Sequence, residues 1–227
     1  MARTVDPAAH ELRRDAFVEA AQRLITVKGY DQMSIQDVLD DLGASRGAFY
    51  HYFGSKAALR GAVLDRMVDA ATDSVGPIVD DPKLSARAKL QGLFSGIARW
   101  KGERTDLLEN VMSVWQADEN ALVREQYRQR TIRRLSPMLV RIVEQGQAEG
   151  SFDVADPPST AKVLATLILG STDTATALYF ERRAGTVTFD DVVRQLTAFA
   201  TAYERILGIP AGTWPITDRA TLRQWFG

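Results

Sequence analysis

Apolar residues recur along this chain at helical intervals. Phe17, Ala20, Ala21, Leu24 and Ile25 fall at i, i+3, i+4, i+7 and i+8, one face of a helix expected over residues 8–28 and ended by Gly29. Ser34-Ile35-Gln36-Asp37 reads as the next helix start, with Ser34 as N-cap and Asp37 in the first turn beside the positive end of the helix dipole. Ile35, Val38, Leu39 and Leu42 form its apolar stripe, and Gly43 closes it. Ser45 is the candidate cap of a short third helix reaching Phe53. Gly54-Ser55 breaks that helix and caps a fourth, from Lys56 to about Val75, stopped by Gly76-Pro77. Further helices are expected at 84–101, 105–116, 119–149 with a kink at Ser136-Pro137, 159–181 and 190–207. Asp80-Asp81-Pro82-Lys83, Glu149-Gly150-Ser151, Asp156-Pro157-Pro158 and a loop around Gly185 separate them. No segment alternates convincingly as a strand and none repeats, so the expected fold is all-α.

Composition narrows the chemistry. The chain has 227 residues, 45% hydrophobic and 25% charged, which is ordinary for a globular protein with a sizeable core. It contains no cysteine, which rules out disulfides, zinc–thiolate sites and iron–sulfur clusters and suits a reducing cytoplasm. The first thirty residues show no secretory pattern, and no run reaches about 18 uncharged apolar residues, so neither a signal peptide nor a membrane span is expected. The net charge of −1 alone argues against a polyanionic partner. Its distribution does not. Residues 1–60 hold eight basic and eight acidic side chains, but the last four acids fall between Asp31 and Asp41. From Leu42 to Leu64 there is none, while Arg46, Lys56 and Arg60 lie in that window.

Gly43-Ala44-Ser45-Arg46-Gly47 fits the G-x-S-x-G pattern of a hydrolase nucleophile elbow. That reading fails. A helical stripe with three aspartates precedes the serine where a buried strand is needed. The chain's two histidines, His10 and His51, offer neither a triad partner nor a metal pair at i, i+3 or i+4. No catalytic residue, metal site or cofactor is expected, and the protein is not expected to be an enzyme.

Two short helices around a turn containing Gly43 instead describe a helix-turn-helix. Small residues at Ala44, Ser45, Gly47 and Ala48 leave the second helix thin enough to approach base edges. Arg46 can reach guanine or phosphate, and Tyr50, His51, Tyr52 and Lys56 suit backbone oxygens. Phe49 and Phe53, spaced i and i+4, are expected in the core with Leu42 and Leu59, and Arg13 and Arg14 on a solvent face.

Residues 10–60 resemble the N-terminal domain of the TetR family of bacterial transcriptional regulators. The matching order runs through Gly29-Tyr30, Met33-Ser34-Ile35, Asp37-Val38, Leu42 to Phe53 and Ser55-Lys56-Ala57-Ala58-Leu59. Beyond residue 77 the resemblance is one of architecture, with a local echo at Glu149-Gly150-Ser151-Phe152. The resemblance implies a homodimer whose heads read a double-stranded DNA operator and whose C-terminal domain binds a small-molecule effector. It places Ser34, Tyr50, His51 and Lys56 at phosphate-contacting positions and Ser45, Arg46, Gly47 and Ala48 at base-facing ones. Tyr50-His51-Tyr52 departs from the family's commoner Tyr-x-His order.

The division expected on this basis is a DNA-binding head at 8–54, a connecting helix at 55–76 acting as a lever, a ligand-binding and dimerisation domain at 77–208, and a tail at 209–227. The effector pocket is expected among Trp100, Leu108, Met112, Trp115, Tyr127, Leu169 and Phe180, with Asp173 as counter-ion of a cationic ligand or as an interface hydrogen-bond partner. The dimer interface is expected to use Ala165, Gly170, Ala175 and Ala177 with Leu196, Phe199, Ala200 and Tyr203. Trp214, Trp225 and Phe226 suggest that the tail docks on the body. The functional expectation is a cytoplasmic, ligand-released repressor; the alternative is a helical binding module that has lost DNA recognition.

Overall fold

The computed structural model describes residues 7–115, 121–212 and 219–227, with side chains described for all of these except 113–115, 123 and 221. Among the described residues there are eleven helices and no strand. They are α1 (Pro7–Lys28), α2 (Ile35–Leu42), α3 (Arg46–Tyr52), α4 (Lys56–Asp73), α5 (Gly76–Asp80), α6 (Ala86–Gly102), α7 (Thr105–Trp115), α8 (Ala121–Ala148), α9 (Pro157–Arg183), α10 (Phe189–Ile206) and α11 (Arg219–Phe226). Packing divides the chain into two units, Met1–Ala70 with Lys101–Arg130, and Ala71–Trp100 with Thr131–Gly227. This grouping differs from the linear division that the sequence suggests, because α7 and the start of α8 join the head.

In the first unit α1 buries Phe17, Val18, Ala20, Ala21 and Ile25. α2 contributes Val38 and Leu39, and α3 contributes Phe49, which is wholly buried. Phe53 and Leu59 join them as the spacing anticipates, whereas Leu42 is only half-buried. The Arg14 guanidinium lies 5.3 Å over the Phe53 ring, so its stem covers core aromatic surface. α7 lies against α1, where the Asn110 side-chain amide donates to the Thr26 carbonyl at 3.0 Å.

The second unit is built around Leu90 and Leu93 of α6, Leu139 and Ile142 of α8, Leu164 of α9 and Tyr203 of α10. Asp156 caps α9 with Pro157 and Pro158 in its first turn, where a missing N–H costs nothing. Thr188 and Asp191 form a reciprocal capping box at α10. Gly76-Pro77, expected only as a stop, also opens α5 by the same proline logic. Helix α8 continues through Pro137. α9 has the length and apolar composition of a membrane span, but its buried residues, Ala161, Leu164, Ala165, Ile168 and Leu169 among them, pack in the core of this unit. The tail does dock on the body. Trp225 and Phe226 lie 6.5 and 6.4 Å from the Tyr179 ring, and Arg182 donates to the Phe226 carbonyl at 3.1 Å. Trp214 lies outside the described residues.

The Glu149-Gly150-Ser151-Phe152 turn has a physical account. The Glu149 carboxylate accepts the Ala86 N–H at 3.0 and 3.3 Å, capping α6. Hydrogen bonds from Gln145 and from that N–H hold its carboxyl below the ordinary range. Phe152 then folds back onto Gly146, where an added Cβ would lie 2.0 Å from the ring. Gly146→Ala is therefore expected to destabilise the protein by about 1–3 kcal/mol through overpacking, read as a lowered midpoint in denaturant unfolding. An unchanged midpoint would mean that Phe152 has room to move.

Candidate nucleic-acid interface

The helix-turn-helix is set by three local devices. At α2 the Ser34 hydroxyl accepts the Asp37 N–H at 3.1 Å while the Asp37 carboxylate accepts the Ser34 N–H at 2.8 Å, a closed capping box. At the turn Gly43 adopts φ +57°, which disfavours residues with a Cβ, and the Ala44 N–H returns to the Leu39 carbonyl at 2.9 Å. At α3 the Ser45 hydroxyl accepts the Ala48 N–H at 3.2 Å. All three positions were legible as caps or turn residues.

On α3 the expected base-facing side chains Ser45, Arg46 and Gly47 are exposed together, with Ala48 half-buried beside them. Arg46 makes no hydrogen bond or ion pair among the described residues. Tyr50 is 54% exposed, unusual for so large a ring, and His51 is exposed next to it. Gly47 is informative because the fold does not require it. Its φ is not positive, and an added Cβ would meet only the Ser45 hydroxyl, at an ordinary 3.9 Å.

Two expected phosphate contacts are already engaged inside the chain. The Ser34 hydroxyl is committed to the capping box and also donates to Asp37 at 2.7 Å. Lys56 donates to the Asp31 carbonyl at 2.9 Å, and burial together with the nearby Arg60 charge lowers its ammonium pKa. An ammonium has three N–H bonds, so Lys56 keeps donors for a second partner. Beside it, Arg60 donates to the Tyr30 carbonyl and lies 4.2 Å over the Tyr30 ring. No sequence pattern marked Arg60 for this role.

The remaining expected residues fall in both units. Leu108, Met112 and Tyr127 belong to the first unit, and Trp100, Leu169, Asp173 and Phe180 to the second. Trp115 has its side chain outside the described residues. Asp173, expected in an apolar surrounding, is exposed, because α9 buries its opposite face. Ala165 and Tyr203, expected at a dimer interface, are buried within the chain at 0% and 2% exposure. The Tyr203 hydroxyl meets the Ser171 hydroxyl at 3.1 Å, and burial pushes its pKa up to about 12. Gly170, Ala175, Ala177, Leu196, Phe199 and Ala200 are half-buried, and Phe199 lies 4.0 Å from where a Gly170 Cβ would stand, packing α9 on α10.

A three-helix head with a glycine turn and an exposed second helix defines a helix-turn-helix DNA-binding protein. Residues 17–63 match the model of bacterial regulatory proteins of the tetR family. The HTH-type transcriptional regulator YfiR of Bacillus subtilis is 24% identical over 193 residues, covering 78% of this chain and 86% of that protein. EthR of Mycolicibacterium smegmatis is 30% identical over 87 residues, covering 37% of this chain and only 40% of that regulator. A TetR-family regulator from Pectobacterium atrosepticum shares the fold, with a TM-score of 0.65 at 21% identity over 90% of this chain and 99% of that one. Residues 17–63 of this chain thus carry the helix-turn-helix domain of the TetR family of transcriptional regulators.

The capping box carries a pH prediction. Hydrogen bonds from Lys28 and then from Ser34 hold the Asp37 carboxyl well below the ordinary carboxylate range. The ionised form is the stabilised one, so its contribution is present above the ordinary aspartate value near ~3.9 and is lost as pH falls below it. Asp37→Asn is expected to lower the thermal midpoint at neutral pH, with the gap to wild type narrowing below about pH 4. A gap that stays constant into acid would show that the carboxylate's charge is irrelevant to the cap.

Proposed function

We propose that this protein is a cytoplasmic repressor that binds a palindromic DNA operator as a homodimer through α3 and leaves it when a small molecule binds. The observation that carries the DNA reading is the surface of α3: Arg46 without a partner among the described residues, a glycine at position 47 that the fold does not need, and exposed Tyr50 and His51. A glycine inside a helix costs up to about 1 kcal/mol relative to alanine. Its presence is explained if a base edge or phosphate must come close. Arg46 supplies the forked donor suited to guanine, and Tyr50, His51 and the remaining donors of Lys56 supply phosphate contacts.

The homodimer is supported by α9. Val163, Thr166 and Asp173 are exposed on its outer side with Ala177 half-buried, and Val163 is 52% exposed. A second copy seated there would cover them. Two heads reading successive major grooves must sit about 34–36 Å apart, which makes a two-fold symmetric operator the expected target. Release by a small molecule is typical of the family and enters here on that ground; an effector acts by binding one head spacing more tightly than the other.

Selection of duplexes from a random-sequence library, followed by fluorescence anisotropy at matched salt, tests the reading. Arg46→Ala is expected to lose about 1–3 kcal/mol of discrimination at one base pair of each half-site. Gly47→Ala is expected to weaken operator binding while leaving thermal stability equal or higher. A protein that enriches no sequence would instead be the binding module without DNA recognition.

A further inference from the structure

His10 and His51, the chain's two histidines, lie on different helices of the first unit, yet their rings meet edge to face, 5.5 Å apart at 72°. Tyr52 closes the triangle, 4.7 Å from His10 and 5.0 Å from His51. The Tyr52 ring lies 5.6 Å from Phe17, which in turn meets Phe49 and Phe53. A run of ring contacts thus leads from the core of the head to an exposed imidazole on α3.

That run matters because α3 has only seven residues. A helix so short has no stability of its own in water, so its last turn is ordered only as far as other elements hold it. Phe49 anchors its middle. At the end, Tyr52 is half-buried against Phe17, and His10 lies across both Tyr52 and His51. Among the described residues, His51 has ring contacts with Tyr52, its own neighbour, and with His10, the one that comes from another helix. A side chain already held in its bound orientation loses less freedom on binding than one that rotates freely.

We propose that His10 is a positioning residue of the DNA interface: its ring holds the His51 imidazole in the orientation that donates to a phosphate oxygen. This rests on the reading that α3 faces DNA. Space-filling alone would be served by any side chain of similar size. Holding an imidazole by its edge calls for a flat ring.

The test uses duplexes selected by the wild-type protein, with affinity measured at several salt concentrations. His51→Ala is expected to weaken binding several-fold. His10→Leu, which fills the space without a ring, is expected to do the same while melting at the wild-type temperature. The double variant is expected to bind no more weakly than His51→Ala alone, and His10→Phe to restore wild-type affinity. Wild-type affinity in His10→Leu, losses that add in the double variant, or a His10→Phe protein as weak as His10→Leu would each overturn the proposal while leaving DNA binding intact. A wild-type protein that selects no duplex would overturn the DNA-facing reading and this proposal together.

Discussion

The end of α1 is the constraint on which the head depends. A helix leaves its last four carbonyls without intrahelical partners and concentrates negative partial charge there. Here that end and the turn that follows it are held by side chains from two other helices. Asn110 of α7 donates to the Thr26 carbonyl at 3.0 Å, Lys56 of α4 donates to the Asp31 carbonyl at 2.9 Å, and Arg60 of α4 bonds the Tyr30 carbonyl and pairs with Asp31 at 3.4 Å. Arg60 is largely buried and its Nε has no hydrogen-bond partner, a cost offset by the Tyr30 ring beneath the guanidinium. The α1–α2 turn is thereby tied to α4 and α7 before the helix-turn-helix begins.

The two helices of that motif are too short to organise themselves. α2 has eight residues and α3 seven, below the length at which isolated helices persist. Their caps decide where each begins, and their buried faces decide which way each points. Val38 and Leu39 seat α2, and Phe49 seats α3 between Phe17 and Phe53. The exposed side of α3 is free to carry Arg46, Gly47 and Tyr50 because its cap, the buried Phe49 ring and the half-buried Tyr52 hold the helix from the other side.

The parts of this design that were legible in the sequence are the local ones. Ser34 with Asp37, Gly43 and Ser45 act within four residues of themselves, so their types and spacing announce them. Asn110 with Thr26, Arg60 with Tyr30 and His10 with His51 join positions far apart in the chain, and no periodicity records such pairs. α9 misled for a different reason. Its residues are apolar on nearly every side, so the pattern could not say which face is inward, and Asp173 proved exposed while Ala165 proved buried. α5 and α11 went unread because each is a few turns or less, one opening on a Gly-Pro pair taken for a stop and the other lying in a tail rich in breakers.

The neutral composition of the head is resolved by the same geometry. Its acids between Asp31 and Asp41 are all engaged: Asp31 with Arg60 at 3.4 Å, Asp37 with Lys28 at 2.6 Å, Asp40 with the Gln36 amide at 2.8 Å and Asp41 with Arg23 at 2.7 Å. Three of the basic side chains are thus neutralised by partners on α2 and the α1–α2 connection, none of them on α3. Charge fields around exposed groups decay over about 10 Å at 0.1 M salt, so a phosphate approaching α3 responds to what is local. It meets Arg46, the remaining donors of Lys56 and a window without acids from Leu42 to Leu64. A sum of zero is then compatible with an anion-seeking face, because the acids between Asp31 and Asp41 are engaged by partners outside α3.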